Sequence, residues 1–338
     1  MFRRTRSIFG MIVAAIVIVL PAAAAQEYPI RFTNPAQVGD RAETSWSATQ
    51  KTKTTMNVDE REKNQDENRK VEVEGIEEVR RVDGKGMPTR IAITIKRCEE
   101  ISADGKKRTI ASPGRVLTMV SRNKETQYTL DSGRLSAMDQ GLLRLALNIQ
   151  EEGVPNDDDT FGTKKPQAIG ASWPVNTKAM TQRLREQSYD PVDPKQVKGT
   201  VKLVGVEDVP DIGPCLHVEF DFTVMNMTGS SNGYKMEDGD FECIDAALVP
   251  IGKGDCVQES SASQFHQVYT ATFGDKPVRV ESHSVRTLEV HRKPLPQKPA
   301  TQPSTTQPAT IPSTRPTPHP LATTTATATA NATTKQVR

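Results

Sequence analysis

Between Cys215 and Val224 the chain alternates without a break. Leu216, Val218, Phe220, Phe222 and Val224 are apolar, and Cys215, His217, Glu219, Asp221 and Thr223 stand between them. A period of two sends the two sets to opposite sides of an extended strand, one toward a core and one toward water. The same period sets Ala42, Thr44, Trp46, Ala48 and Thr52 against Glu43, Ser45, Ser47, Lys51 and Lys53. It also sets Ile91, Ile93 and Ile95 against Arg90, Thr94 and Lys96. Further strands are predicted near 71–82, 116–120, 126–130, 201–206, 265–273 and 278–290. Asp83-Gly84, Asp104-Gly105 and Asp131-Ser132-Gly133 fall between runs and suit hairpin turns, which need residues tolerant of positive φ. Connections this short imply antiparallel pairing, because a parallel crossover needs about a dozen residues.

Helical spacing appears in two places. Leu135, Met138, Leu142, Leu145, Ala146 and Ile149 form one stripe, Ser136 and Asp139 are spaced as a capping box, and Gly153 suits the end. A less apolar helix is predicted over 178–187. The expected fold class is α+β and β-rich: antiparallel sheet of long hairpin strands, a half-barrel at the limit, with one or two covering helices.

The two ends of the chain have a different character. Arg3, Arg4 and Arg6 precede an apolar stretch from Ile8 to Leu20, then Pro21 and a run of alanines. That order predicts a signal peptide over 1–25 with cleavage after Ala25, an uncleaved anchor being the alternative. From Arg292 onward, prolines are spaced through Thr, Ala, Gln and Ser, and 322–334 is almost pure Ala/Thr. Such a segment buries too little apolar surface to offset its ordering entropy, so 292–338 is expected to be a disordered basic tail. The formal net charge is +2. The signal segment holds three arginines, and the tail holds Arg292, Lys293, Lys298, Arg315, Lys335 and Arg338 with no acid, which leaves −7 on 26–291. An acidic domain argues against nucleic acid as a partner.

Residues 26–291 form either one large β-rich domain or two related halves dividing near Gly162. The second reading rests on Val38-Gly39-Asp40 ahead of Trp46 and Ile169-Gly170-Ala171-Ser172-Trp173, each shortly after a Pro and a Gln.

Cys98, Cys215, Cys243 and Cys256 all follow the signal segment. An even number in an oxidising compartment predicts two disulfides. The expected pairing is Cys243–Cys256, closing a short loop, and Cys98–Cys215, joining polar faces of two strands. A metal site is disfavoured, since no Cys-x-x-Cys or Cys/His ligand spacing occurs.

His217, Glu219 and Asp221 share one strand face, about 7 Å apart in sequence-neighbour steps. They are the candidate acid–base or metal-binding set, against the plainer reading of a solvent face. Glu151, Glu152, Asp157, Asp158 and Asp159 form an acidic stretch that lacks calcium-loop spacing and is expected to be a solvated loop. Ser121-Arg122-Asn123-Lys124 matches Ser-x-x-Lys but falls where two strands turn, without its partner motifs. No Gly-x-Ser-x-Gly, His-Glu-x-x-His, phosphate loop or dinucleotide fingerprint occurs. No catalytic residue, metal or cofactor is therefore assigned.

The signal segment, the Val38-Gly39-Asp40 opening and the Ile169-Gly170-Ala171-Ser172-Trp173 opening resemble a family of uncharacterised secreted bacterial β-rich proteins. By architecture, long antiparallel strands under helices are similar to the half-barrel of periplasmic lipoprotein carriers, which implies an apolar groove for a lipid or other hydrophobic ligand. The expected function is an exported, non-enzymatic binding or envelope-associated protein, secreted or periplasmic. Its expected partners are a hydrophobic small molecule or an anionic envelope polymer, with membrane contact only through the signal peptide. A secreted hydrolase and a structural wall protein are the alternatives.

Overall fold

The computed structural model describes residues 26–297 apart from 59–60, 123–124, 150–151, 187–191, 232–233, 253–255 and 274–275. The expected signal peptide and the segment from 298 onward lie outside the described residues. In chain order the elements are β1 (Glu27–Tyr28), β2 (Arg41–Val58), β3 (Arg61–Val82), β4 (Pro88–Ile101) and β5 (Lys107–Thr109). Next come β6 (Val116–Arg122), β7 (Glu125–Leu130), α1 (Ala137–Ala146), α2 (Asp157–Phe161), β8 (Gln167–Ala168), β9 (Ser172–Pro174) and α3 (Thr177–Glu186). The chain then runs through β10 (Val197–Val209), β11 (Gly213–Val224), β12 (Gly229–Ser231), β13 (Tyr234–Pro250), β14 (Gln258–Phe273) and β15 (Lys276–Leu295).

Thirteen strands make one antiparallel sheet in the order β7-β6-β4-β3-β2-β15-β14-β13-β11-β10-β9, with β5 beside β4 and β12 beside β13. The sheet does not close, and β1 pairs separately with β8. Strands from before residue 162 fill one end of the order and strands from after it fill the other. They meet where β2 pairs β15 from Met56↔Val280 to Arg41↔Leu295. Trp46 lies on central β2 and Trp173 on edge strand β9, so the two Gly-plus-Trp openings occupy different topological places.

One face of the sheet is covered. Ala48, Val71 and Val73 alternate inward on β2 and β3, Ile91, Ile93 and Ile95 on β4, and Leu117 and Met119 on β6. They pack under Leu143, Ala146 and Leu147 of α1 and its C-terminal cap. At the other end Val201, Leu203, Val218, Phe220 and Phe222 pack under Phe161 of α2, Met180 and Leu184 of α3, and the N-terminal Tyr28, Ile30 and Phe32. The polar atoms of two buried aromatic side chains, one in each cluster, find partners. Tyr128 Oη donates to the Leu147 carbonyl at 2.6 Å, and Trp173 Nε1 donates to the Phe161 carbonyl at 2.7 Å. Gly199 is required where β10 presses on β11: a Cβ there would stand 2.5 Å from Phe222 Cβ and 2.9 Å from Val175 Cγ2.

The helix at α1 starts as its sequence predicts, with Ser136 accepting from the Asp139 amide and the Asp139 side chain returning to Ser136. Its stripe is shorter than expected, because Met138 is exposed and the helix ends at Ala146. Other expectations are corrected. Asp131-Ser132-Gly133 leads from β7 into α1 and closes no hairpin. The acidic stretch is not a solvated loop at its second half: Asp157, Asp158 and Asp159 make the first turn of α2 behind an Asn156 cap. Each acid there has its own work. Asp157 binds Arg183 at 2.7 Å, Asp158 accepts from the Phe32 amide at 2.6 Å, and Asp159 completes the cap. Arg292 and Lys293, placed in the tail by composition, belong to β15, which continues to Leu295.

The disulfide pairing is also corrected: all four cysteines are free thiols. Val257 donates to the Leu248 carbonyl, which sets Cys256 several residues along β13 from Cys243, on the order of 20 Å at about 3.3 Å per residue. A disulfide needs Cα atoms within about 7 Å. Cys98 and Cys215 lie on β4 and β11, six places apart in the strand order, and on opposite faces. The bulge between Glu74 and Gly75 is the reason Cys98 faces the core. It breaks the alternation after Ile95, so the parity that sequence assigns to Cys98 is inverted.

Candidate functional site

The open face of the sheet carries the sequence-designated residues Glu219 and Asp221. Antiparallel register aligns Lys202 with Ser172 on one side and Glu219 on the other. Glu219 is level with Ala246, and Ala246 with Ser260. The neighbouring row runs Thr200, Asp221, Ile244 and Ala262. Two rows thus cross the β9–β14 end of the sheet, and their middle positions are small. Short side chains on a twisted surface leave a trough of about 530 Å³ lined by Ser172, Lys202, Glu219, Asp221, Ile244 and Ala262. Ile244 is 57% exposed at its centre, where alternation on an open face calls for a polar residue. Lys202 and Glu219, opposite in charge, are direct cross-strand neighbours, a favourable placement on a sheet.

His217 stands one row further along. Its Nδ1 lies 2.6 Å from Glu207 Oε1, and Glu207 belongs to β10. The three residues singled out from sequence are therefore divided: His217 is engaged by Glu207, while Glu219 and Asp221 line the trough. A second concavity of about 400 Å³ lies where the β10–β11 turn meets β2 and β15, lined by Glu43, Lys96, Val209, Ile212, His291 and Lys293. Lys293 holds that turn through Asp211 at 2.6 Å. The ion pair draws the Asp211 carboxyl below its ordinary value.

The covered face holds a group that sequence reasoning missed. Between the two apolar clusters, Asp245 on β13, Glu259 on β14 and Arg286 on β15 stand at inward positions. Desolvation pushes the Asp245 carboxyl up to about 8, with Glu259 and Asp157 adding to it. Desolvation also raises Glu259, reinforced by Asp157. Arg286 donates Nη2 to the Leu145 carbonyl at 2.5 Å, and burial lowers its guanidinium from the usual value. Arg292 reaches Glu77 at 3.0 Å. The signal that reveals this group is a polar residue falling in phase with apolar ones. Asp245 falls between Cys243 and Ala247, and Arg286 precedes Leu288 and Val290 at the same parity.

The thiols are not nucleophilic in this setting. Desolvation pushes Cys98 up to about 12 and Cys243 up to about 11. Cys256 is raised for the same reason. Among the described residues no group of three or more His, Cys, Asp or Glu is placed to hold a metal ion.

The fold and site define a β-rich α+β protein with a single-layer open sheet and helices on one face. No protein-family model matches the chain, and no curated protein matches it. Among solved structures it is similar to a DUF1329 family protein from Desulfovibrio piger, at 11% identity over 72% of this chain and 85% of that one, with a TM-score of 0.13. It is also similar to Pseudomonas aeruginosa OpdQ, at 7% identity over 75% and 98%, TM-score 0.18. The Pseudomonas putida toluene transporter TodX aligns at 7% identity over 80% and 96%, TM-score 0.13. At those scores the likenesses establish neither a family nor an activity.

Proposed function

We propose that this chain is an exported, non-catalytic binding protein of the cell envelope that takes a hydrophobic small molecule in the open-face trough. The observation that carries the reading is the exposed Ile244 at the centre of a 530 Å³ concavity. Ala246 and Ala262 beside it add apolar floor, and Lys202, Glu219 and Asp221 form a charged rim. That combination, an apolar floor with few polar groups at the edge, is what orients a small ligand. Burying the Ile244 side chain contributes about 1.5–3 kcal/mol. A molecule that also covers the two alanines gains more in proportion to its area.

The test uses the neutral fluorophore 1-N-phenylnaphthylamine with the protein spanning 26–338. Saturable fluorescence enhancement is expected, and Ala262→Arg, which fills the trough from an exposed position, is expected to weaken it about tenfold or more. Binding that is absent, or identical in Ala262→Arg, sinks the reading. The segment after 297 adds Lys298, Arg315, Lys335 and Arg338 without an acid, and its proposed partner is an anionic envelope polymer. Cosedimentation with isolated cell wall is expected to fall on truncation after Gln297 and at high salt. Equal retention of both forms discards that partner.

A further inference from the structure

The charged group on the covered face is built from five elements. Asp245 lies level with Ser261 on β14, and Glu259 lies level with Ala247 on β13, so the two carboxylates are diagonal neighbours on one face. Above them are Asp157 at the start of α2 and Arg183 on α3, joined at 2.7 Å. From β15, Arg286 and Arg292 act on Glu259. Cys243 and Cys256 lie alongside as neutral thiols. The cations have other attachments. Arg183 is bound to Asp157, Arg286 donates to the Leu145 carbonyl, and Arg292 donates to Glu77. Asp245 Oδ1 is buried with no hydrogen-bond partner. The Ala246 amide is the one backbone donor to this carboxylate, which leaves a buried charge under-compensated, and a proton removes the penalty.

We propose that Asp245 and Glu259 form a proton-operated catch beneath the α2–α3 cover, which seats the two helices while the pair holds a proton and loosens them once it is lost. With the proton gone, Asp157, Asp245 and Glu259 are ionised together around Arg183. Arg286 and Arg292 offset only part of the charge on Glu259, and like charges at this depth are poorly screened. Lifting the cover returns the carboxylates to water and relieves the repulsion.

The sign follows from linkage. The folded carboxyl of Asp245, at about 8, lies above the unfolded value of about 3.9. Stability from this group is therefore complete below about pH 4, falls as pH rises, and is fully lost above the folded value. Across that window each pH unit favours the open cover about tenfold for one proton.

Amide hydrogen exchange measures the catch directly. The reporters are the Thr160 amide, bonded to the Asn156 carbonyl, and the Met180 amide, bonded to the Asn176 carbonyl. The control is the Asp131 amide, bonded to the Val116 carbonyl at the far end of the sheet. After correction for intrinsic rates, protection of Thr160 and Met180 is expected to fall about tenfold per pH unit between pH 6 and 8, while Asp131 holds. Asp245→Asn, and separately Glu259→Gln, are expected to flatten that slope. A slope of the same size in both variants, or none in the wild-type protein, overturns the proposal. Should neither variant fold, the carboxyl ¹³C titration of the wild-type protein decides. One carboxyl titrating well above the ordinary range supports the catch, and two ordinary carboxylates overturn it.

Discussion

At the scale of single residues, the four cysteines show how far a local rule reaches. Even number and export context point to disulfides, but bonding depends on where the strands carry each sulfur. A denatured sample is expected to release four thiols to Ellman's reagent, and the native protein to react slowly, since burial holds Cys98 near 12 and Cys243 near 11. Recovery of two thiols or none in the denatured state shows that bridges exist. Gly199 makes a second residue-scale case. Gly199→Ala forces a Cβ against Phe222 Cβ at 2.5 Å, and neither atom can rotate away. The expected loss is about 1–3 kcal/mol in urea unfolding, and an unchanged midpoint refutes the contact. Asp221 and Glu219 were legible as a polar strand face because period two needs no tertiary information. That His217 belongs with Glu207 was not, since their contact depends on the register between β10 and β11.

Single elements differ in how much of themselves they announce. α1 carries its own cap and an apolar stripe, so its start is readable from Ser136 and Asp139. Ser136→Ala is expected to destabilise by about 1 kcal/mol, read as a lower thermal midpoint. α2 has five residues, three of them aspartates, and no window long enough to show a helical period. Its formation depends on the Asn156 cap and on Phe161 being drawn under the sheet. Asp158 also accepts from the Phe32 and Thr33 amides, so Asp158→Ala is expected to release the N-terminal strap. Faster proteolysis near residues 28–33, with about 1–3 kcal/mol lost, is the measured outcome; unchanged cleavage removes that role. β3 extends from Arg61 as a run of exposed charged residues, which no apolar alternation marks. Its first half is a strand because β2 pairs with it along its whole length.

At the scale of the whole molecule, the decisive contact is the seam between β2 and β15. Thr52 and Ser284, joined side chain to side chain at 2.9 Å, are 232 residues apart in sequence. This seam turns the two runs of hairpins into one sheet. Trp46 and Trp173 report on the two apolar clusters separately, at 7% and 9% exposure. Single-tryptophan proteins made by Trp46→Phe or Trp173→Phe are expected to show the same urea midpoint, because the seam couples the clusters. Two separated midpoints show that the halves unfold independently. The covered face gains its charged strip in the same way. On β13, β14 and β15, where the two clusters approach each other, Asp245, Glu259 and Arg286 take inward positions among the apolar ones.

What the amino-acid order settled alone is local: alternating strands, short antiparallel connections, one capped helix and an acidic β-rich body. Each follows from interactions between residues a few positions apart, which a linear pattern records directly. The tertiary structure decided which strands became neighbours, which face the bulge after Ile95 gave to Cys98, and which carboxylates were shut away together. Those depend on pairings across hundreds of residues. There the free energy comes from area buried and charges desolvated in three dimensions, and no short window of sequence contains either.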